Sequence, residues 1–468
     1  MKRSSQFTLP FLSILMLLFA ASADAQENIP DLLKSDEFSK QLNYPRSVYR
    51  FYQNRGLHSV WIKTETEAAH TFQAMLLLDC VLQFGLSHQD YHPKTLNYED
   101  LQQMISTPEK VSGEAKAKFD ILLTDAMISL INHLHYGKLN PDISAGKQDN
   151  GIKGQLQADI ELSKLIGLKD MSEGIAKLEP QTEQYRTLKN YLRLVRGQYS
   201  GDCYQFPRAE ARKAAINMER IRWAGFSSKN YIQVNIPSYL LSLVQDSDIH
   251  QFRIIVGKSE TPTPVLQSVL NELTTTPDSK IPHNTFVKVL LPKALKNTRY
   301  FDDNHYTVYD LKGVRIPVNS VKLKEIAKNP GNYILRQSAD MDSSLGLVVF
   351  RFPNDQGVYL HDSPEKELFN RSIRMLSPGC IRIENAVQLA NLLLAKDGGK
   401  KSTGAFNTAI TKNLQQKFML KTPVAIKITY LTCEISEGMP VIYKDIYQQD
   451  RTLEEALFRE KETNNYNN

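Results

Sequence analysis

The chain has 468 residues, 41% of them hydrophobic and 23% charged, with a net charge of +6 and four cysteines. At roughly 150 residues per domain this allows two or three domains with sizeable cores. No basic stripe or binding motif accompanies the mild positive balance, which excludes nucleic acid as a partner, and the lack of any Cys-x-x-Cys excludes a zinc ribbon or thioredoxin-like site.

Lys2 and Arg3 precede an apolar run from Leu9 to Ala20, and Ala23-Asp24-Ala25 supplies a small-x-small site. Residues 1–25 therefore read as a secretory signal peptide cleaved after Ala25. The alternative is an uncleaved anchor, but the run is shorter than the ~20 residues a spanning helix needs. Export is expected. Residues 26–215 read as a mostly helical scaffold domain. In "TFQAMLLLDCVLQFGL", Cys80 is expected to be a buried thiol. His88 and His92 have the four-residue spacing of metal ligands, yet Pro93 and turn residues suggest a loop. "FDILLTDAMISLINHLHYGKLNP" repeats Leu123, Met127, Leu130 and Leu134 at helical spacing, then stops at Gly137 and Pro141. His133 and His135 point to different faces of that helix and read as structural. "LEPQTEQYRTLKNYLRLVRGQYSG" is a second helix, with Tyr185, Leu188, Tyr191, Leu192 and Val195 on or near one stripe, and Gly197, Gly201 and Pro207 mark a break. Trp61 and Trp223 read as core anchors.

After "NMERIRW" the period changes to two. "YIQVNIPSYLLSLV", "FRIIVG", "LGLVVFRF", "GVYLHD", "VAIKITYL" and "MPVIYKDIY" follow as short strands. Residues 216–450 are thus a mainly β domain and 451–468 a C-terminal tail, so the fold class is α+β. Residues 290–332 are polar, aromatic and poor in strand pattern. A long irregular insertion of this kind suggests a lid over a cleft; a surface excursion without a role is the plainer alternative. Cys203 lies in a polar loop and Cys433 follows a strand, so a bridge between them is conceivable in an oxidising compartment.

In "GVYLHDSP" the alternation sets Val358 and Leu360 on one face and Tyr359 and His361 on the other. "CIRI" likewise sets Cys380 and Arg382 together, and Asn385 with Gln388 has the spacing of a capping box. A cysteine nucleophile needs a base or cation and oxyanion donors beside it. His361, 19 residues upstream, can be the base. The N–H groups of Gly379 and Cys380, with the Tyr359 hydroxyl, can hold an oxyanion, and Arg382 can hold a substrate carboxylate. From residue types alone, Cys380 stays open between nucleophile, buried thiol and half of a disulfide.

The stretch Tyr359-x-His361 followed by Ser377-x-Gly379-Cys380-Ile381-Arg382 resembles the catalytic signature of the L,D-transpeptidases of the YkuD fold, in particular their large periplasmic YcbB-like subgroup. "IIVGKSETPTP", "YILRQSADMDSSLGLVVFRFPN", "VIYKDIYQQD", "GLHSVW" and "GLSHQDYHP" are similar to further blocks of that subgroup, so the resemblance covers nearly the whole mature chain. It implies a helical scaffold domain and a YkuD-like catalytic domain with a lid insertion. It also implies a periplasmic enzyme in which Cys380 and His361 are catalytic and Tyr359, Gly379, Ser377 and Arg382 serve oxyanion or substrate. The implied partners are peptidoglycan stem peptides, a tetrapeptide donor and an amine acceptor, with carbapenems as covalent inhibitors. Neither metal nor organic cofactor is implied, and a monomer is expected. Hydrolysis of the same thioester, as in an L,D-carboxypeptidase or endopeptidase, and a non-catalytic wall-binding scaffold are the competing readings. Two departures stand out. Pro378 occupies a position where many members carry histidine, and it has no N–H to donate. Some 18 residues from Gln198 cannot form the small peptidoglycan-binding domain usual in the subgroup.

Overall fold

A computed structural model describes residues 28–62, 68–197, 209–224, 230–276, 279–281, 283–304, 306–337 and 345–458. The signal-peptide segment and Cys203 lie outside them. Contacts divide the chain into two compact units, one of residues 1–78, 89–130 and 145–172, the other of 79–88, 131–144 and 173–468.

The first unit is helical and is tied by buried carboxylates. Asp120 accepts from Tyr52 Oη and Ser59 Oγ at 2.6 Å and from Trp61 N–H at 2.7 Å, which fixes the "SVW" turn. Asp125 accepts from the N–H groups of Asn43 and Tyr44 and, at 2.6 Å, from His92 Nε2. His92 is therefore committed to a carboxylate. Asp149 meets the N–H groups of Arg46 and Ser47, so a distant side chain caps the helix Pro45–Gln53. Trp61 is buried, as the sequence indicates.

In the second unit the strands run β1 (Asn230–Asn235), β2 (Leu240–Gln245), β3 (Asp248–Gly257), β4 (Leu266–Thr275), β5 (Ser279–Lys280), β6 (Tyr306–Asp310), β7 (Arg315–Ile316), β8 (Tyr333–Gln337), β9 (Val348–Arg351), β10 (Leu360–His361), β11 (Met375–Ser377), β12 (Ile381–Ile383), β13 (Gln416–Thr429), β14 (Cys433–Ser436) and β15 (Met439–Ile442). Nine of them form a mixed sheet ordered β11-β3-β12-β10-β9-β4-β13-β1-β2, and β2 also pairs with β3, so the sheet closes on itself. Closure leaves few open edges. The strands' apolar alternates, among them Ile232, Val234, Leu241, Leu243, Phe252, Ile254, Phe350, Leu360, Ile381 and Ile426, share one core with Leu389, Leu393 and Phe406 of the helix Ala386–Thr411.

Two expectations change here. The domain boundary read near residue 215 does not coincide with the packing. The helices Glu183–Gly197 and Ala209–Ala224 bury Tyr185, Leu188, Leu192, Ala214, Met218 and Ile221 against Leu431 and Cys433, so they belong with the sheet. The insertion between β4 and β9 is not irregular. It holds a four-stranded sheet, β5-β8-β6-β7, and its own core of Phe286, Leu290, Leu291, Phe301, Val308, Leu323, Ile326 and Leu335. Its strands are two to five residues long, too short for a period-two pattern to register.

Candidate active site

β10 and β12 lie side by side and parallel, with Leu360 opposite Ile381 and His361 opposite Arg382. Ile381 N–H donates to Tyr359 O at 3.1 Å, which carries the register one residue further and sets Tyr359 beside Cys380. Since side chains alternate along a strand, Val358, Leu360, Ile381 and Ile383 turn into the core. Tyr359, His361, Cys380 and Arg382 then share the other face. β9, on the far side of β10, places Val349 opposite His361, and the same register puts Arg351 opposite Tyr359. Two rows of side chains therefore cross the sheet. One is Arg351, Tyr359, Cys380. The next is Val349, His361, Arg382 and Ile255.

The second row is dry. Val349 and Ile255 are fully buried and His361 is 5% exposed. His361 Nδ1 lies 2.6 Å from Asp362 O. A carbonyl only accepts, so Nδ1 carries the hydrogen and the neutral ring keeps its lone pair on Nε2. Burial, and then the Arg382 charge, push the His361 pKa from 6.5 down to about 4, against opposing backbone hydrogen bonds to Asp362 and Leu345. At neutral pH the ring is an uncharged base. Asp362 is itself held. Its N–H donates to Val348 O, Leu347 N–H donates to its Oδ2, and Lys366 Nζ donates to its Oδ1 at 2.6 Å and to Glu384 O at 2.7 Å. Gly346 passes over it at φ +61°, where a Cβ would fall 2.5 Å from Asp362 Oδ2, so only glycine fits.

In the first row Tyr359 stands beside Cys380 by the strand register, and its ring centroid is 5.6 Å from that of His361. Burial and then Cys380 push its pKa up to about 12, so it stays a protonated donor. Among the described residues no hydrogen bond joins His361 to Cys380 in this resting arrangement; Tyr359 touches both.

The turn that presents Cys380 is built by groups far apart in sequence. Gly379 has φ +122°. Ser377 Oγ donates to Cys380 O at 2.5 Å and accepts from Gly379 N–H at 3.2 Å. Gly379 O accepts from Thr263 Oγ1 at 2.8 Å, and that hydroxyl accepts from Gly257 N–H at 2.9 Å. Tyr447 closes the loop, its hydroxyl donating to Gly257 O at 2.7 Å and accepting from Thr263 N–H. A Cβ on Gly257 would lie 2.2 Å from Thr261 O. Thr263→Val keeps the shape and removes both hydroxyl bonds of a buried residue. It is expected to cost about 1–3 kcal/mol, seen as a lower Tm, and to reduce kcat; an unchanged Tm and kcat would remove Thr263 from this role.

Several readings from the sequence are corrected. Gly379 N–H, expected to face an oxyanion, is turned onto Ser377 by the positive φ; the Cys380 N–H and Tyr359 hydroxyl are the donors left for that task. Ser377 shapes the turn. Arg382 is ion-paired with Glu365 and its side chain is 17% exposed, so it acts on the charge of His361 instead of reaching outward. Asn385 begins its helix without a side-chain cap, and Gln388 N–H donates to Asn385 O. Cys80 is half-buried, whereas Cys433 is a buried free thiol. Local pattern could not reveal Thr263, Tyr447, Gly346 or Arg351; Asp362, next to His361, could have been weighed. Among the described residues no group of three His, Cys, Asp or Glu is placed to hold a metal ion, and no helix is long and apolar enough to cross a membrane.

Comparison with known proteins bears on this geometry. Residues 229–426 match the YkuD family, described as the L,D-transpeptidase catalytic domain, and residues 46–192 match the Scaffold domain family. A protein of Haemophilus influenzae named "Putative L,D-transpeptidase" is 35% identical over 242 residues, 52% of this chain and 48% of that protein. The chain spans about half the length of the curated relative it matches.

Proposed function

Because the chain carries an L,D-transpeptidase catalytic domain of the YkuD family behind a Scaffold domain, we propose that it is an acyltransferase that cross-links peptidoglycan through Cys380. The observation that carries this reading is the single sheet face shared by Tyr359, His361 and Cys380, with the His361 tautomer set by Asp362 O.

The donor is a tetrapeptide stem ending in D-alanine. With its pKa pushed down to about 4, His361 is an uncharged imidazole that accepts a proton as the bond forms. Cys380 Sγ attacks the carbonyl of the third residue while Nε2 takes the thiol proton. The Cys380 N–H and the Tyr359 hydroxyl stabilise the oxyanion. The imidazolium returns its proton to the departing amine, D-alanine leaves, and a thioester is left on Cys380. The side-chain amine of a second stem's third residue then attacks, gives a proton to His361, and forms a 3→3 cross-link as the thiol is restored. The Arg382 charge keeps the imidazolium short-lived. Activated carbonyls of the carbapenem class acylate the same thiol.

The insertion of residues 279–337 is the lid of this reading. It is rooted between β4 and β9, where Thr275 pairs with Val348, one residue from the row of His361. The protein acts as an exported, periplasmic monomer. Incubation with a disaccharide-tetrapeptide, followed by mass spectrometry, tests the whole. Cross-linked dimers with release of D-alanine are expected. Tripeptide alone would make the protein a hydrolase, and no turnover would leave a wall-binding scaffold.

A further inference from the structure

Arg382 was the residue expected to hold a substrate carboxylate, but it is paired with Glu365 and mostly enclosed. The row that contains the thiol offers a different cation. Arg351 stands at the end of β9, exposed, with its guanidinium carbon 5.2 Å from the centroid of the Tyr359 ring. Its partner across the β4 side is Glu272, and that carboxylate is taken by Lys417. Two further cations of the described residues are committed elsewhere. Lys366 is held by Asp362 and Glu384 O, and Arg374 by three carbonyls. The exposed Arg351 guanidinium therefore lies on the ring of Tyr359 with its donors uncommitted to any carboxylate among the described residues. It is held in direction by the face of Tyr359.

The spacing also suits a substrate. Neighbouring strands lie about 4.8 Å apart, so Arg351 is two strands, on the order of 10 Å, from Cys380. Tyr359 bridges them by contact with both. A peptide whose scissile carbonyl sits on the thiol extends a carboxylate-bearing arm over that distance.

We infer that Arg351 is the residue that binds a carboxylate of the acyl donor, as a planar fork beside the ring of Tyr359. This rests on the acyl-transfer reading above. Two carboxylates of the donor have the required chemistry, the C-terminal one of the departing residue and the one on the side chain of the third residue. Arg351 is then a specificity residue, and it acts before the chemistry by orienting the carbonyl on Cys380.

The test uses the full chain and three synthetic donors: the tetrapeptide with both carboxylates, one with a C-terminal carboxamide, and one with lysine at the third position. Arg351→Gln is expected to lower kcat/KM for the first donor by about 10- to 100-fold, chiefly through KM. Arg351→Lys should recover part of it. Against whichever donor lacks the recognised carboxylate, wild type and Arg351→Gln should be equally slow, which names the source. The Tm of the variant should match wild type, because the side chain is exposed. Equal loss on all three donors, or no loss on any, overturns the assignment while acyl transfer by the wild type stands. Failure of the wild type on every donor overturns the acyl-transfer reading, and this inference with it.

Discussion

Cys380→Ala should abolish turnover of a tetrapeptide donor, by roughly 10⁴-fold or more, and leave the fold intact. Cys380 is half-buried, and alanine keeps its Cβ while losing only Sγ, whose nearest backbone acceptor is Gly357 O at 4.0 Å. The other described thiols are poor substitutes. Burial pushes Cys433 up to about 12, and Cys80 lies between the helix Ala68–Asp79 and the turn that follows it. Intact-mass measurement with a carbapenem should therefore show one adduct on wild type, mapped to the peptide containing Cys380, and none on Cys380→Ala. Turnover at the wild-type rate by the alanine variant, or an adduct on another cysteine, would end the nucleophile assignment.

His361→Ala comes next in size, with an expected loss of about 10²- to 10⁴-fold in kcat/KM. The pH dependence is the sharper readout. A base works only while unprotonated, and His361 has its pKa pushed down to about 4 by burial and by Arg382. The acid limb of wild-type kcat/KM should thus fall near pH 4, well below the ordinary histidine value of about 6.5. In His361→Ala that limb should vanish. Stability follows the same linkage. The folded pKa is below the unfolded one, so the unfolded chain binds the proton more readily between the two. The contribution is complete above about pH 6.5 and is lost as pH falls through 4, on the order of 3 kcal/mol for this group. Urea titrations at pH 4 and pH 7 should show a smaller difference for His361→Ala than for wild type. A wild-type acid limb near pH 6.5 would contradict a dry His361.

Much of the site was legible because its parts are local. Tyr359 immediately precedes β10 and is two residues from His361, as Cys380 precedes β12 and is two from Arg382, and extended backbone with a period of two sets each pair on one face. Their meeting required β10 and β12 to be neighbours, and the motif resemblance stood in for that. The insertion was misread because short strands carry almost no periodic signal, although Phe286, Leu290, Phe301 and Ile326 are the material of a small core. The directions of the Gly379 N–H and the Arg382 guanidinium were out of reach of the sequence for another reason. An N–H or a guanidinium has one direction, and that direction was set by Ser377 in one case and Glu365 in the other.

The sequence by itself determined the alternation that sets Tyr359 and His361, and Cys380 and Arg382, apart from the core residues beside them, and the helical character of the first half, since these follow from covalent order and side-chain period. Only the tertiary structure decided which groups are free to act. Strand order put Arg351, 29 residues before Cys380 in the chain, in the same row as the thiol. It also brought the Thr263 hydroxyl onto Gly379 O and buried His361 between Val349 and Arg382, and burial and the Arg382 charge lower its pKa. Those outcomes depend on contacts between residues remote in sequence and on the loss of water around them, neither of which a linear pattern encodes.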